Sequence, residues 1–404
     1  MPPSPSPEQA LNLLEGIRVL DLTTSVAGPY AGLLLADLGA DVVKVERPGQ
    51  GDDARAWGPP FLDGESLWFL SVNRNKESVT LDYSCPAGRA ALLALAAEAD
   101  IILINQVARS QQKLGIDYAS LKAVNPGLIH VSITGFGLTG PNRDLPCYDL
   151  IAEGYSGVMD LTGEAQGEAQ KIGTPAADLL AGEDAALAAL AALIARNRKG
   201  TGQEIDISMV ESMTRFLTPR LIPYLGSGEL PRRSGGKDSV IAIYQTFDTS
   251  EGPLTLGLGN DAIWTRCCEA IGRPDMAADP RLATNKGRRA HRQEIVESIQ
   301  AALREKPRSH WLEVFAAARV PAGPINRLDE VVQDRAMRER GLFFSLQRNG
   351  VAIPQVGLGI RFGGNSHSYR KPPPRLGEQT RTVFRDWLGW DEARLQELDG
   401  EKAV

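Results

Sequence analysis

From Ile17 the chain alternates short apolar runs with helical stretches: IRVLDLT, then SVAGP, then YAGLLLADLGA, then DVVKVE. The short runs rich in branched residues predict strands, and the longer apolar stretch between them predicts a helix. Strand, loop, helix and strand in that order make a parallel βαβ unit. ESVTLDY follows, then an alanine-rich stretch from Gly88 to Ala99, the strand DIILI, a helical stretch, and LIHVSITGFG, a strand ending in a glycine loop. Strands alternating with helices predict an α/β chain built on an open, Rossmann-like sheet. The stretch GEDAALAALAALIARNRKGTGQ predicts a strong helix. Arg196, Arg198 and Lys199 suit the negative end of its dipole, and Gly200 supplies a stop. EIDISMVESM reads as a further strand and the start of a helix.

The pattern breaks at LGSGELPRRSGGKDS, which predicts a linker into a second unit. The tail from Val351, with KPPPRLGEQT, reads as loop before a last amphipathic helix. A length of 404 residues suggests two domains at the usual 100–200 residues each. Hydrophobic residues at 43% and charged residues at 23% are the balance of a globular chain with a full core. The net charge of −6 argues against a nucleic-acid face, which needs a basic stripe. Cys85, Cys147, Cys267 and Cys268 show no C-x-x-C spacing, so a reducing, cytoplasmic setting fits best. MPPSPSPEQALNLLEG lacks the basic and apolar regions of a signal peptide and reads as a flexible lead-in over residues 1–14. No apolar run approaches the roughly 20 residues that span a bilayer, so no membrane partner is expected.

Two motifs invite a dinucleotide reading and fail it. Glu46 stands where a Rossmann site places its ribose acid, but the first turn, SVAGPYAG, lacks the G-x-G-x-x-G approach to a pyrophosphate. Gly135, Gly137 and Gly140 do form that motif in GFGLTGP, yet Pro141 follows and no clear apolar helix opens there. The histidines His130, His291, His310 and His367 are scattered without metal-ligand spacing, and no metal site is expected. Neither a G-x-S-x-G elbow nor a P-loop is present.

Taken together, LEGIRVLDLT, AGPYAGLLLADLGADVVKVERPGQGD, NRNKESVTLD, ITGFGLTGP, GTPAADLLAG, RNRKGTGQEIDISMVESM, VPAGPIN and PPPRLGEQT resemble the class III CoA-transferases, the family of formyl-CoA and carnitine CoA-transferases. The resemblance runs in register from about Leu14 to about Leu388. It implies an interlaced, ring-like homodimer, with a large α/β domain made of residues 15–225 and a returning segment 331–404, and a smaller α+β domain over 226–330. It also implies an enzyme that moves CoA from an acyl-CoA to a carboxylic acid, using a CoA thioester as substrate and no prosthetic group.

By that resemblance the nucleophile is Asp178 of GTPAADLLAG. It would carry the acyl group as a mixed anhydride and then CoA as an aspartyl thioester. Ala176 and Ala177 leave room for a bulky thioester, and the free N–H groups opening the next helix would favour negative charge. Read from residues alone, Asp178 is instead an acidic cap of that helix. Family position further implies Arg47, Lys76, Asn105, Lys113 and Phe136 as CoA contacts, with Arg109 as an added phosphate ligand. Val26, Tyr148, Gly235 and Gly236 would form the lid or pocket. The chain reads INQVARS where relatives read E-N-F-x-P-G, and the lid region, RRSGGKDSV, holds only Gly235 and Gly236.

Two rival functions share the fold. An α-methylacyl-CoA racemase needs two bases, and relatives of that kind carry G-H-D where this chain has Cys147, Tyr148 and Asp149. The racemase glutamate of the small domain is matched by Asn260 and Asp261. A chain that binds acyl-CoA without chemistry is the other rival. Arg215, Arg220 and Arg232 near the linker suggest pairing with a second carboxylate, and so a dicarboxylic acid such as succinate, itaconate or mesaconate.

Overall fold

The computed structural model describes residues 12–363, 369–401 and 403–404. Most of the expected lead-in, and His367, lie outside the described residues. The chain divides into two compact units. One comprises Met1–Val158, Ile172–Thr218 and Arg335–Val404, and the other Met159–Lys171 and Pro219–Asp334.

The first unit is built on six parallel strands: β1 (Arg18–Asp21), β2 (Asp41–Glu46), β3 (Lys76–Thr80), β4 (Ile101–Ile104), β5 (Ile129–Thr134) and β6 (Gln203–Ser208). Their order across the sheet is β3-β2-β1-β4-β5-β6. The direction of winding reverses between β1 and β4, and in open α/β sheets ligands gather at the carboxyl ends of the strands around such a switch point. Both faces of the sheet are covered, which is why β4 reads as the unbroken apolar run IILI and is buried throughout. On one face Leu20, Val43, Val79 and Ile102 pack with α2 (Pro86–Ala97) and with the C-terminal helices α12 (Thr380–Leu388) and α13 (Glu392–Gly400).

The other face is crossed by α1 (Ala27–Asp37) and by α6 (Ala176–Lys199), which pack on each other. Alanine and glycine let them approach closely: a Cβ on Gly182 would lie 2.6 Å from the carbonyl oxygen of Ala27. The expected helix is present and ends at Gly200 with φ of 75°, but it begins at Ala176, a turn and a half before Gly182. Between β4 and α6 lie α3 (Ala108–Leu114), α4 (Tyr118–Val124) and α5 (Asp149–Ser156), and β6 runs into α7 (Met209–Phe216).

The returning segment seals the edge of the sheet. Among the described residues no strand pairs with the outer side of β3, yet Ser78 N–H donates to Gln379 Oε1 at 2.9 Å and Thr80 N–H to Thr380 Oγ1 at 3.0 Å. Side chains brought from about three hundred residues later thus satisfy an exposed ladder.

The second unit carries a three-stranded antiparallel sheet of β7 (Tyr244–Thr249), β8 (Gly252–Gly257) and β9 (Ala322–Pro324), in the order β9-β8-β7. Phe247, Leu254 and Leu256 on one face of it pack with Trp264 of α9 (Asp261–Ala270), Ile295 and Ile299 of α10 (Arg292–Leu303) and Phe315 of α11 (Arg308–Ala317). Helix α8 (Thr218–Ser227) follows α7, and none of its residues is buried. Among the described residues, no helix is long and apolar enough to cross a membrane.

Candidate active site

Asp178 is the third residue of α6, so its backbone is already helical and its side chain does not cap the helix. Pro175 precedes the helix and makes no side-chain cap bond. The cap comes from elsewhere in the chain: Asp149 Oδ1, in the first turn of α5, accepts from Ala177 N–H at 2.8 Å and more weakly from Asp178 N–H at 3.4 Å. The N–H groups expected to face developing charge are therefore already taken. Both carboxylates converge on one helix end, and only that of Asp149 is paired. Among the described residues, the carboxylate of Asp178 accepts no hydrogen bond. Burial and then the negative charge of Asp149 push Asp178 up to about 7.

The wall around this pair is made by the loop after β5. Gly135 backs onto Cys147, and a Cβ there would lie 2.1 Å from that of Cys147, so glycine is required for the segment 147–149 to pass. Burial, with Asp178 and Asp149 beside it, pushes the Cys147 thiol up to about 11 and keeps it un-ionised. Gly137, at φ of 84°, turns the loop back, and Asp206 accepts from Leu138 N–H at 2.9 Å. Phe136 is held edge-on to Tyr155 of α5, with ring centroids 5.2 Å apart. Tyr148 precedes α5 and is exposed. Phe136, Tyr148 and Asp178 are thus gathered in one neighbourhood with Asp149, whose part the residue pattern did not reveal. In the sequence Asp149 stands out as the match to the aspartate of the racemase G-H-D motif and as an acid opening the stretch DLIAEGYS.

A second neighbourhood lies at the carboxyl ends of β1 and β2. A cleft of about 190 Å³ there is lined by Thr24, Arg47, Tyr83 and Gln106 among others. Arg47 is 53% exposed at the side chain and leans on Asp53 and the carbonyl of Gly51. Asn105 clamps the β1–α1 loop, accepting from Thr24 N–H at 3.2 Å and donating to Thr24 O at 2.9 Å. Gln106 donates to Leu22 O and to the Tyr83 hydroxyl, each at 3.3 Å, while its Oε1 is buried without a donor. Arg109 and Lys113 sit exposed on α3. Val26 is buried as the residue preceding α1.

Lys76 differs from its expected role as a phosphate contact. It is 1% exposed, and its ammonium donates to Asp21 Oδ2 at 2.8 Å, Pro29 O at 2.7 Å and Asn73 Oδ1 at 2.8 Å. With three acceptors for three N–H bonds, no donor remains for a ligand. Glu46 is likewise engaged, by Arg55, Ser78 and the N–H of Asp52, and no helix opens on the GFGLTGP loop before Asp149. Both dinucleotide motifs are therefore structural.

In the second unit Gly235 and Gly236 line a cleft of about 570 Å³ with Lys237, Tyr244 and Thr246. Gly235 has φ of 60° and donates to Gly163 O at 2.9 Å, and a Cβ on it would meet the carboxylate of Glu164. Asn260 caps α9 through Ile263 N–H at 2.9 Å, and Asp261 pairs with Arg288, which occupies the groups matched to the racemase base. Arg215 is paired with Asp184, and Arg220 with Asp238 at 2.7 Å, whereas Arg232 is exposed.

Comparison with known proteins agrees with this architecture. The pattern describing CoA-transferase family III matches residues 14–380. A succinate–glutarate CoA-transferase of Agrobacterium fabrum is 40% identical, over 92% of this chain and 95% of that protein. The succinyl-CoA:glutarate CoA-transferase of Mus musculus is 38% identical, over 95% of this chain and 88% of that one. The crystal structure of a CAIB/BAIF family protein from Brucella suis superposes with a TM-score of 0.82 at 38% identity, covering 93% of this chain and 99% of that one. The chain belongs to CoA-transferase family III.

Proposed function

We propose that this chain transfers CoA between an acyl-CoA and a carboxylic acid, with Asp178 as the covalent carrier and dicarboxylic acids as the favoured acceptors. One observation carries the reading. Asp178 offers a carboxylate that is unpaired among the described residues, raised to about 7, at a helix end where Ala177 N–H already serves Asp149. A largely desolvated but not fully buried carboxylate beside a like charge loses its own charge when it is acylated, so desolvation and repulsion both favour the covalent step.

The steps balance without a proton. A carboxylate oxygen of Asp178 bonds to the thioester carbonyl carbon, the C–S bond breaks, and CoA leaves as thiolate from a mixed anhydride. The thiolate then bonds to the aspartyl carbonyl, breaking the C–O bond to the donor acyl group, so that the donor acid departs and an aspartyl thioester remains. The acceptor carboxylate displaces the thiolate from this thioester. The thiolate finally attacks the acceptor's carbonyl, giving the new acyl-CoA and free Asp178. The cleft at the carboxyl ends of β1 and β2, with Arg47 in its lining, suits the phosphate-bearing end of CoA. The acceptor class rests on relatives named for succinate, glutarate and mesaconate. Arg215 and Arg220 are engaged by acids, so Arg232 is the arginine of the three left to meet a second carboxylate.

A homodimer is part of the reading. Leu187 and Ile194 stand exposed on α6, and Ile222 and Leu225 on α8, a helix with no buried residue. Apolar surface of this kind calls for a partner. The four free cysteines suit a reducing cytoplasm.

The test is chemical. Incubated with succinyl-CoA and hydroxylamine, the chain becomes a hydroxamate at Asp178, detected by peptide mass, while D178A does not. In a panel of acids, glutarate and succinate accept CoA faster than butyrate. Full turnover by D178A would reject the covalent route, and exchange of the α-hydrogen without acid transfer would favour the racemase.

A further inference from the structure

We propose that Lys76, paired with Asp21, is a positioning residue for transfer: it ties the first turn of α1 to the sheet, and α1 in turn seats the end of α6 that carries Asp178. The inference rests on the transferase reading above and assigns Lys76 a role other than contact with CoA.

The connection is continuous. Asp21 at the end of β1, Lys44 on β2, Lys76 on β3 and Asp52 in the loop after β2 form a buried, electrically neutral group of four charges. Lys76 bonds to Asp21 at 2.8 Å, and Lys44 to Asp52 at 2.8 Å. Each ammonium also holds the segment that runs from β1 into α1. Lys44 donates to Thr23 O at 2.7 Å, and Lys76 donates to Pro29 O, in the first turn of α1, at 2.7 Å. Asp52 completes the grip by accepting from Ser25 N–H at 2.9 Å, where Ser25 has φ of 73°. Lys76 reaches the helix only because Gly32 lies over the pair, where a Cβ would stand 3.1 Å from Asp21 Oδ2 and 3.2 Å from Lys76 Nζ. From there α1 meets α6 at Gly182, one turn beyond Asp178, by a backbone approach that admits no side chain.

A buried group of charges costs desolvation and is a weak source of stability. Here it is spent on the β1–α1 loop and the α1 turn that abut the candidate site. Burial and the neighbouring Lys44 lower Lys76 to about 8, against the pull of Asp21 and Asp52. The same two lysines hold Asp21 at about 2, although burial alone would raise it. Of the two lysines, Lys76 is therefore the one that gives up its proton first as pH rises. The neutral amine keeps two N–H bonds for three acceptors, so one contact opens. The signs of the two effects differ. A lysine with a lowered folded pKa adds to folding stability as pH rises from about 8 toward 10.5, whereas the positioning role predicts that turnover falls over the same range.

The test compares wild type, K76M and G32A, the last keeping every charge while crowding the contact. Expected results are a wild-type kcat falling above about pH 8, at least tenfold lower kcat in K76M without that alkaline limb, and unchanged KM for CoA thioesters. Hydrogen exchange measured by mass spectrometry should quicken in peptides covering Tyr30–Leu33 and Leu179–Gly182 in both variants, and not in β4. Wild-type kcat in K76M, a flat alkaline profile in wild type, or unchanged exchange in a folded K76M would each overturn the proposal. So would a raised KM for the acyl-CoA with no change for its 3′-dephospho form, the mark of a phosphate ligand. A wild-type chain inert toward every acid would instead count against the transferase reading, and the exchange data alone would then decide the positioning claim.

Discussion

Asp178 and Asp149 divide one task between two carboxylates. The one that accepts backbone N–H groups is satisfied, and the one without a donor among the described residues is raised to about 7. A carboxyl group whose folded pKa exceeds its unfolded value contributes stability below the unfolded pKa and loses it as pH climbs through the folded one. D178N should therefore be more stable than wild type at pH 8, by about 2 kcal/mol once partial exposure is allowed for. The difference should vanish near pH 4, which thermal unfolding across that range would check. Turnover needs the ionised form, so wild-type activity should fall as the medium is acidified through 7. In D149N the like charge is gone. The midpoint of the acid limb should move to lower pH, with about 0.5–1 kcal/mol of stability lost from the weaker cap; a limb unmoved in D149N would mean that the two acids are not coupled. The residue pattern could name Asp178 only through resemblance, because a nucleophile and an N-cap are both an aspartate before an alanine-rich helix. What separates them is a hydrogen bond arriving from position 149, and no local pattern records a contact between residues 29 apart.

At the scale of elements, the parallel strands were legible because burial on both faces leaves only apolar runs such as DIILI and IRVLDLT. The buried lysines were not. Lys44 in DVVKVE and Lys76 in NRNKESVT look like interruptions that should face solvent or a phosphate, and only the assembled sheet brings Asp21 and Asp52 to them. Glycine spacing was the missed hint, since Gly28 and Gly32 turn one side of α1 toward Thr23, Asp21 and Lys76, while Gly182 of α6 meets α1 at Ala27 and Ala31. A side chain at Gly182 would strike the backbone of α1, which cannot step aside as a flexible side chain can. G182A should accordingly destabilise the fold by about 1–3 kcal/mol and depress kcat more than it changes KM. Equal kcat in G182A and wild type would show that the helix contact does not govern the site.

At the scale of the whole molecule, the first unit is assembled from three separate stretches of chain and the second from two. Helix α8 begins where the chain last leaves the first unit, and its exposed Leu225, at 74% of its surface, has no partner within the described chain. If such residues serve a homodimer, L225E should shift sedimentation toward the monomer and lower transfer at dilute concentration; a variant that sediments as wild type does would remove α8 from the interface. The same exposed positions explain the limits of reading this region from its pattern. Apolar residues in PRLIPYLGS are spaced for burial, and among the described residues none of them is fully buried.

The strap that closes β3 has a consequence for biosynthesis. Gln379 and Thr380 emerge from the ribosome only after some three hundred further residues have been made. Until then the nascent protein displays an open strand edge to its crowded surroundings. Synthesis of this enzyme thus includes an interval in which chaperones, or the speed of translation itself, must guard that edge against cross-pairing with other nascent chains.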